Sequence, residues 1–331
     1  MKKTILFLVI VCLGASTASA QWELQPTGVT SDFFGVWFTS PTKGWVVGKN
    51  GTFMQTTDGG KTWAQGQGLS WQTNLNKIMF SDTTHGWIVG DYNTVFSTND
   101  GGQSWSQFGY GFGAPYSSNY YGIFDLKRDG RNSIWISGGR NTNAFTDIEK
   151  MDTSGYLQPQ IMGFAGRLVR LFFLNDSLGW AVGDSGLILS TTNGGTWWNE
   201  QQSHTKLGLN DVAFFNPDTG VCCGTDGLIF RTTDGGSHWN ETNYTQGVIL
   251  FRLVRLGDST AYIVGTSNTI LKSTDEGATW IPQTDNAPTS TAFEDVFFLN
   301  DSTAWAVGHD GIIVHLAGDT TDPEPVMGVK A

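Results

Sequence analysis

Charge of either sign is scarce in this sequence. Of 331 residues only 15 % are Asp, Glu, Lys or Arg, and 19 basic residues face 30 acidic ones. A nucleic-acid surface concentrates Lys and Arg to displace counterions. No such cluster occurs, so nucleic acid is not an expected partner. Cysteine is scarcer: Cys12 near the start, then the adjacent pair Cys222 and Cys223. Adjacent cysteines neither build a disulfide framework nor match zinc-site spacing. They read as two small buried strand residues, with a vicinal disulfide as the sharper alternative. The five histidines (85, 204, 238, 309, 315) are scattered, and no His-Glu-x-x-His occurs. There is also no phosphate-binding Gly loop ending in Lys-Ser/Thr and no Gly-x-Ser-x-Gly elbow. Zincin, P-loop and α/β-hydrolase chemistry therefore lack their residues, and no cofactor or metal is implied.

Long apolar runs are missing too. The longest, Ile5 to Leu13, is too short to span a bilayer comfortably. It follows Lys2 and Lys3 and precedes Ala18-Ser19-Ala20, the pattern of a secretory signal over residues 1–20 cleaved before Gln21. Val11 stands before Cys12 where a lipid-anchor site wants a small residue. The expectation is an exported chain, periplasmic or extracellular, without a transmembrane segment. Loss of the leader leaves 17 basic against 30 acidic residues, a net −13.

What the chain has in abundance is Gly (43), Phe (21) and Trp (14). One phrase recurs: Gly44-Trp45-Val46-Val47-Gly48, Gly86-Trp87-Ile88-Val89-Gly90 and Gly179-Trp180-Ala181-Val182-Gly183. Weaker copies centre on Trp135, Val221, Tyr262 and Trp305, giving seven copies spaced 41 to 48 residues apart. Each is preceded by an apolar run and a turn. Each is followed by a tight hairpin such as Lys49-Asn50-Gly51 or Asp184-Ser185-Gly186, then a further strand. A second motif comes next. It reads Thr56-Thr57-Asp58-Gly59-Gly60-Lys61-Thr62-Trp63, with copies ending at Trp105, Trp198, Trp239 and Trp280. Four strands per unit of this length indicate a propeller blade. The expected fold is all-β: a seven-bladed β-propeller over residues 21–316, followed by a loose tail, 317–331, containing Pro323 and Pro325. Blade seven lacks its own second motif, but one step back from Trp63 lies Trp22. The N-terminal strand is therefore expected to complete the last blade and hide two sheet edges. A monomer is expected.

The eight-residue motif is similar to the Asp-box, or bacterial neuraminidase repeat. Together with Gly-Trp-Ala-Val-Gly it resembles the photosystem II stability/assembly factor family of seven-bladed propellers, over roughly residues 22–316. That resemblance implies structural roles for Asp58, Asp100, Asn193, Asp234 and Asp275. It also implies an exported assembly or binding propeller with a protein or cell-envelope partner. Related repeats occur in sialidases and xyloglucan-cleaving glycosidases, so a glycan remains a second class of ligand.

Three groups of residues could carry function. The rim opposite the Asp-boxes holds Lys49, Asp91, Tyr92, Arg140, Asp184, Asp226, His309 and Asp310. A glycosidase needs two carboxyls across one bond, and Asp184, Asp226 and Asp310 are the candidates; ordinary hairpin chemistry is the plainer reading. Strand one carries a column facing the axis: Lys77, Arg170, Asp211, Arg252 and Asp295, with Gly35 and Gly122 in the other two blades. Mixed signs suggest inter-blade ion pairs. The alternative is an anionic or peptide site using Arg170 and Arg252 with Arg167 and Arg255, since Arg grips carboxylate bidentately. Third is the Gly-rich aromatic loop with Tyr110, Phe112 and Tyr116, whose composition suits a binding surface.

Overall fold

The computed structural model describes residues 22–66, 72–92, 94–107, 118–128, 131–140, 146–151, 157–161, 164, 166–283 and 291–316. These form an all-β propeller of seven four-stranded antiparallel sheets, each built by the repeat found in the sequence. Sheet 1 shows the pattern: Phe33–Phe38, Gly44–Gly48, Phe53–Thr56 and Ala64–Gln65, paired in that order. The first strands of sheets 2 to 7 are Leu75–Phe80, Ser118–Arg128, Leu168–Phe173, Leu209–Phe214, Leu250–Leu256 and Phe293–Asn300. Each packs on the first strand of the next sheet, and that of sheet 7 packs on that of sheet 1. The fourth strand of sheet 7 is Trp22–Gln25, running antiparallel to Ile313–Leu316 with Trp22 opposite Leu316. Residues 1–20, expected as a leader, residues 317–331, expected as a tail, and the segment bearing Tyr110, Phe112 and Tyr116 lie outside the described residues.

The two repeated phrases interlock neighbouring sheets. The Trp of Gly-Trp in one sheet stacks on the Phe ending the first strand of the next. Trp45 lies over Phe80 at 4.3 Å, Trp180 over Phe214 at 3.4 Å and Trp305 over Phe38 at 3.5 Å. The Asp-box Trp then meets the same Phe edge-on: Trp63 with Phe38, Trp105 with Phe80, Trp239 with Phe214. Trp22 meets Phe298 edge-on in the same way, at 6.4 Å. A T-shaped pair adds about 0.5–1.5 kcal/mol beyond the buried area. In two copies the second Gly of the Asp-box leaves room for the stacking Trp, Gly102 beside Trp45 and Gly195 beside Trp135. At Gly195, φ is +81° and a Cβ would sit 2.3 Å from the Trp135 ring.

Within the Asp-box the acid ties down its own turn. Asp58 Oδ1 accepts from the Thr56 hydroxyl (2.8 Å) and the Thr62 N–H (2.9 Å), and Oδ2 from the Thr62 hydroxyl (2.6 Å). The hydrogen bonds from Thr62 and Thr56 pull the Asp58 carboxyl down to about 2. Asp100 and Asp275 repeat this with Ser104 and Thr279. His238 stands in the Thr62 place and puts Nδ1 2.7 Å from Asp234 Oδ2. In the middle copy both partners change together: Asn193 replaces the acid and Trp197, which lacks a hydroxyl, the Thr. Asn193 Oδ1 still accepts from the Trp197 N–H at 2.9 Å. Cys222 and Cys223 are buried free thiols in the strand Gly220–Gly224.

Candidate functional site

The first strands carry the same irregularity in every sheet. Pairing slips between Phe33 and Gly35, Leu75 and Lys77, Tyr120 and Gly122, Leu168 and Arg170, Leu209 and Asp211, Leu250 and Arg252, and Phe293 and Asp295. A β-bulge turns the strand and re-aims the extra side chain. Two rings result. The axial ring is the charged column expected from the sequence. Next to it, toward the strand entry, stand the bulged residues Phe34, Asn76, Val169, Asn210, Phe251 and Glu294, which no sequence signal had singled out.

The axial ring is an alternating chain of charges. Arg170 Nε lies 3.6 Å from Asp211 Oδ1, beyond hydrogen-bond reach. Arg252 Nη1 donates to Asp211 Oδ2 at 2.6 Å, and its Nε to Asp295 Oδ1 at 3.1 Å. Lys77 Nζ closes the chain on Asp295 Oδ2. Lys77 belongs to sheet 2 and Asp295 to sheet 7, so the lysine spans sheet 1 at Gly35, whose missing side chain leaves room. A Cβ there would come within 3.2 Å of the Lys77 Cα. Both carboxylates also accept backbone N–H groups of a neighbouring sheet: Val36 on Asp295 (3.0 Å) and Leu253 on Asp211 (2.9 Å). Lys77, Asp211 and Asp295 are buried. Burial works against the Arg252 charge, but Asp211 and Asp295 hold its guanidinium above the usual value. Burial pushes the Lys77 ammonium down to about 7 against the pull of Asp295. Arg170, buried with a weaker hold on Asp211, is also lowered.

Above this ring lies an open hollow of about 330 Å³. Phe34, Phe251 and Val169 give it apolar walls, Asn76 and Asn210 amides, and Arg170 a share of its floor, with Asp91 and Glu294 at the sides. Both acids are engaged. Asp91 accepts the side-chain amides of Asn74 (3.0 Å) and Asn76 (2.9 Å). Glu294 Oε1 lies 2.7 Å from His309 Nε2, and burial raises its carboxyl.

The other candidates are dispersed. Arg167 and Asp184 grip each other on the exposed rim, Nε to Oδ2 at 2.7 Å and Nη2 to Oδ1 at 3.3 Å. Lys49 pairs with Asp32 at 3.0 Å. Asp226 and Asp310 take the left-handed central place of their hairpins, φ 61° and 57°, as Asn50 and Ser185 do. Asp226 Oδ1 accepts the Gly247 N–H at 2.6 Å. Asp184, Asp226 and Asp310 do not line the hollow. Arg255 donates Nη1 to Phe214 O (2.7 Å) and Nε to Gly257 O (2.7 Å), tying sheet 6 to sheet 5. Tyr92 is exposed. Arg140 ends the strand Arg131–Arg140, and its side chain lies outside the described residues. Among the described residues no helix is long and apolar enough to cross a membrane.

Comparison with known proteins agrees with this geometry. The model of the family described as photosynthesis system II assembly factor YCF48 matches residues 15–109 and 243–317. The photosystem II assembly lipoprotein Ycf48 of Picosynechococcus is 41% identical over 63 residues, 18% of this chain and 18% of that protein. A solved structure described as YCF48 bound to D1 peptide superposes with TM-score 0.73 and 25% identity, covering 91% of this chain and 96% of that one. YCF48 from Cyanidioschyzon merolae gives TM-score 0.68 at 16% identity, over 90% of this chain and 99% of that one. The WD40 propeller domain of Doa1, at 11% identity and TM-score 0.71, shares the fold. The chain belongs to the photosynthesis system II assembly factor YCF48 family.

Proposed function

We propose that this protein is an exported, non-enzymatic propeller that binds a client polypeptide during assembly of an envelope or membrane complex. In this reading the seven sheets are seven blades of one closed, monomeric ring, and the N-terminal strand is its latch. The client docks on the end of the ring that bears the axial hollow. The observation that carries the reading is the hollow itself. It offers aromatic and amide surface on a rigid rim, the composition of a recognition site, while the acids beside it are held by amides and an imidazole. The solved relative named for a bound D1 peptide supports a polypeptide as ligand.

Arg170 contributes to the floor of this site, while Arg252 lies in the ring beneath it and already serves two carboxylates. Arginine-to-alanine changes there would unsettle the core, so the test uses the walls. A fluorescent D1 peptide is titrated against the full chain and against Val169→Glu and Phe251→Ala. The expected result is saturable binding that both variants weaken at least tenfold with melting temperatures within about 2 °C. Equal binding by all three would remove the hollow from the reading. The hydrolase alternative needs Asp184, Asp226 or Asp310 to converge on a sugar. A screen of aryl-glycosides in which Asp184→Asn abolishes turnover would reverse the preference.

A further inference from the structure

Below the hollow, within the axial ring, is a second and much smaller cavity of about 30 Å³. We propose that it is a binding site for one monatomic anion of the halide class, held by Arg170, Lys77 and Arg252 at the centre of the propeller. All three of these cations line this cavity, together with Arg255, but of the two axial carboxylates only Asp211 does. Its other walls are mainly apolar, including Trp37 and Met79.

Each carboxylate in the ring already accepts three donors. Asp211 receives Val212 N–H on Oδ1, and Arg252 Nη1 and Leu253 N–H on Oδ2. Asp295 receives Arg252 Nε on Oδ1, and Lys77 Nζ and Val36 N–H on Oδ2. Arg170 is left over: its Nε and Nη1 are fully buried and have no hydrogen-bond acceptor. A buried charged donor without a partner is costly, more so than a neutral one. The axial ring therefore holds three cations and two carboxylates among the described residues, with unmet donors on the surplus one. One anion in the cavity balances the charge and accepts both Arg170 N–H groups.

Size and donor number select the class. About 10–15 Å³ of such space already holds one water, so the cavity admits chloride or bromide, and the two free Arg170 donors suit one small acceptor better than the four oxygens of sulfate or phosphate. Water would fit and accept a hydrogen bond, but it brings no charge. Arg170 borders both the hollow and this cavity. The proposal does not depend on the client-binding reading.

The test uses the full chain, dialysed into gluconate at fixed ionic strength and then given 1 to 100 mM chloride, bromide or sulfate. A ligand that binds only the folded state raises the melting temperature in proportion to log concentration. The expected rise is about 3–6 °C with either halide and none with sulfate, and Arg170→Met removes the halide response. If Arg170→Met does not fold, crystals grown in bromide decide. An anomalous peak between Lys77, Arg170 and Arg252 supports the site. No peak, or a melting temperature indifferent to halide, overturns it.

Discussion

Asp295→Ala probes the axial ring where its connections meet. The carboxylate is fully buried and accepts Lys77, Arg252 and the Val36 N–H. Its removal leaves the Lys77 ammonium without a counter-charge and frees Arg252 Nε and a backbone donor of the neighbouring sheet. Breaking a buried ion pair by deleting one partner costs about 3–5 kcal/mol. For a chain of this size a loss of that order lowers the melting temperature by about 5–8 °C. Urea denaturation followed by tryptophan fluorescence measures it, because the inter-sheet Trp residues report packing. The double variant Lys77→Met/Asp295→Leu recovers much of the loss, since a matched apolar pair often replaces a buried ion pair at little cost. Lys77 adds a pH signature in halide-free buffer. Its proton leaves near pH 7 in the folded chain and near 10.5 in the unfolded one. The unfolded chain therefore binds more protons across that window, and stability rises as pH climbs from about 7 toward 10.5. Lys77→Met lacks that rise. An Asp295→Ala protein within about 1 kcal/mol of wild type would refute the claim that the ring holds the sheets together.

Further predictions concern the latch and the interlock. Deleting residues 22–25 exposes the Ile313–Leu316 edge and removes the Trp22 contact with Phe298, so the melting temperature falls sharply; Trp22→Ala alone costs about 3–5 kcal/mol in urea titration. An unchanged melt would contradict the latch. Gly195→Ala places a methyl against Trp135 at positive φ and destabilises by more than about 2 kcal/mol. Asp58→Asn separates from wild type most clearly above pH 4. The folded carboxyl is depressed to about 2, so its contribution is present above the unfolded value and fades as pH falls toward 2. Acid titration of both proteins by circular dichroism shows the two curves converging there.

Much of the architecture is legible because each repeat solves the same local problem. Gly-Trp, the hairpin Gly and the Asp-box Gly-Gly are dictated by turns and by ring packing against the next sheet, so their spacing alone marks the sheets. Trp22 is found the same way, by stepping one period back. The charged column is also legible, because a charge in an apolar strand demands a partner. The ring of Phe34, Asn76, Val169, Asn210, Phe251 and Glu294 is not. Alternation along a strand sends neighbours to opposite faces; only the bulge turns both toward the axis, and a bulge leaves no mark in residue type here. Nor does Asp184 advertise Arg167 as its partner, because that pair forms across a hairpin whose register the sequence does not state.

The central claim, that the hollow-bearing end of the propeller receives a client polypeptide, is tested most directly by photo-crosslinking in living cells. A photoreactive residue is placed at Val169 or Phe251 on that end, and at Lys61 or Thr196 on the Asp-box end. The account predicts a discrete protein adduct from the first pair only, lost when the second pair carries the probe. Adducts from the Asp-box end alone, or equally from both ends, would contradict it.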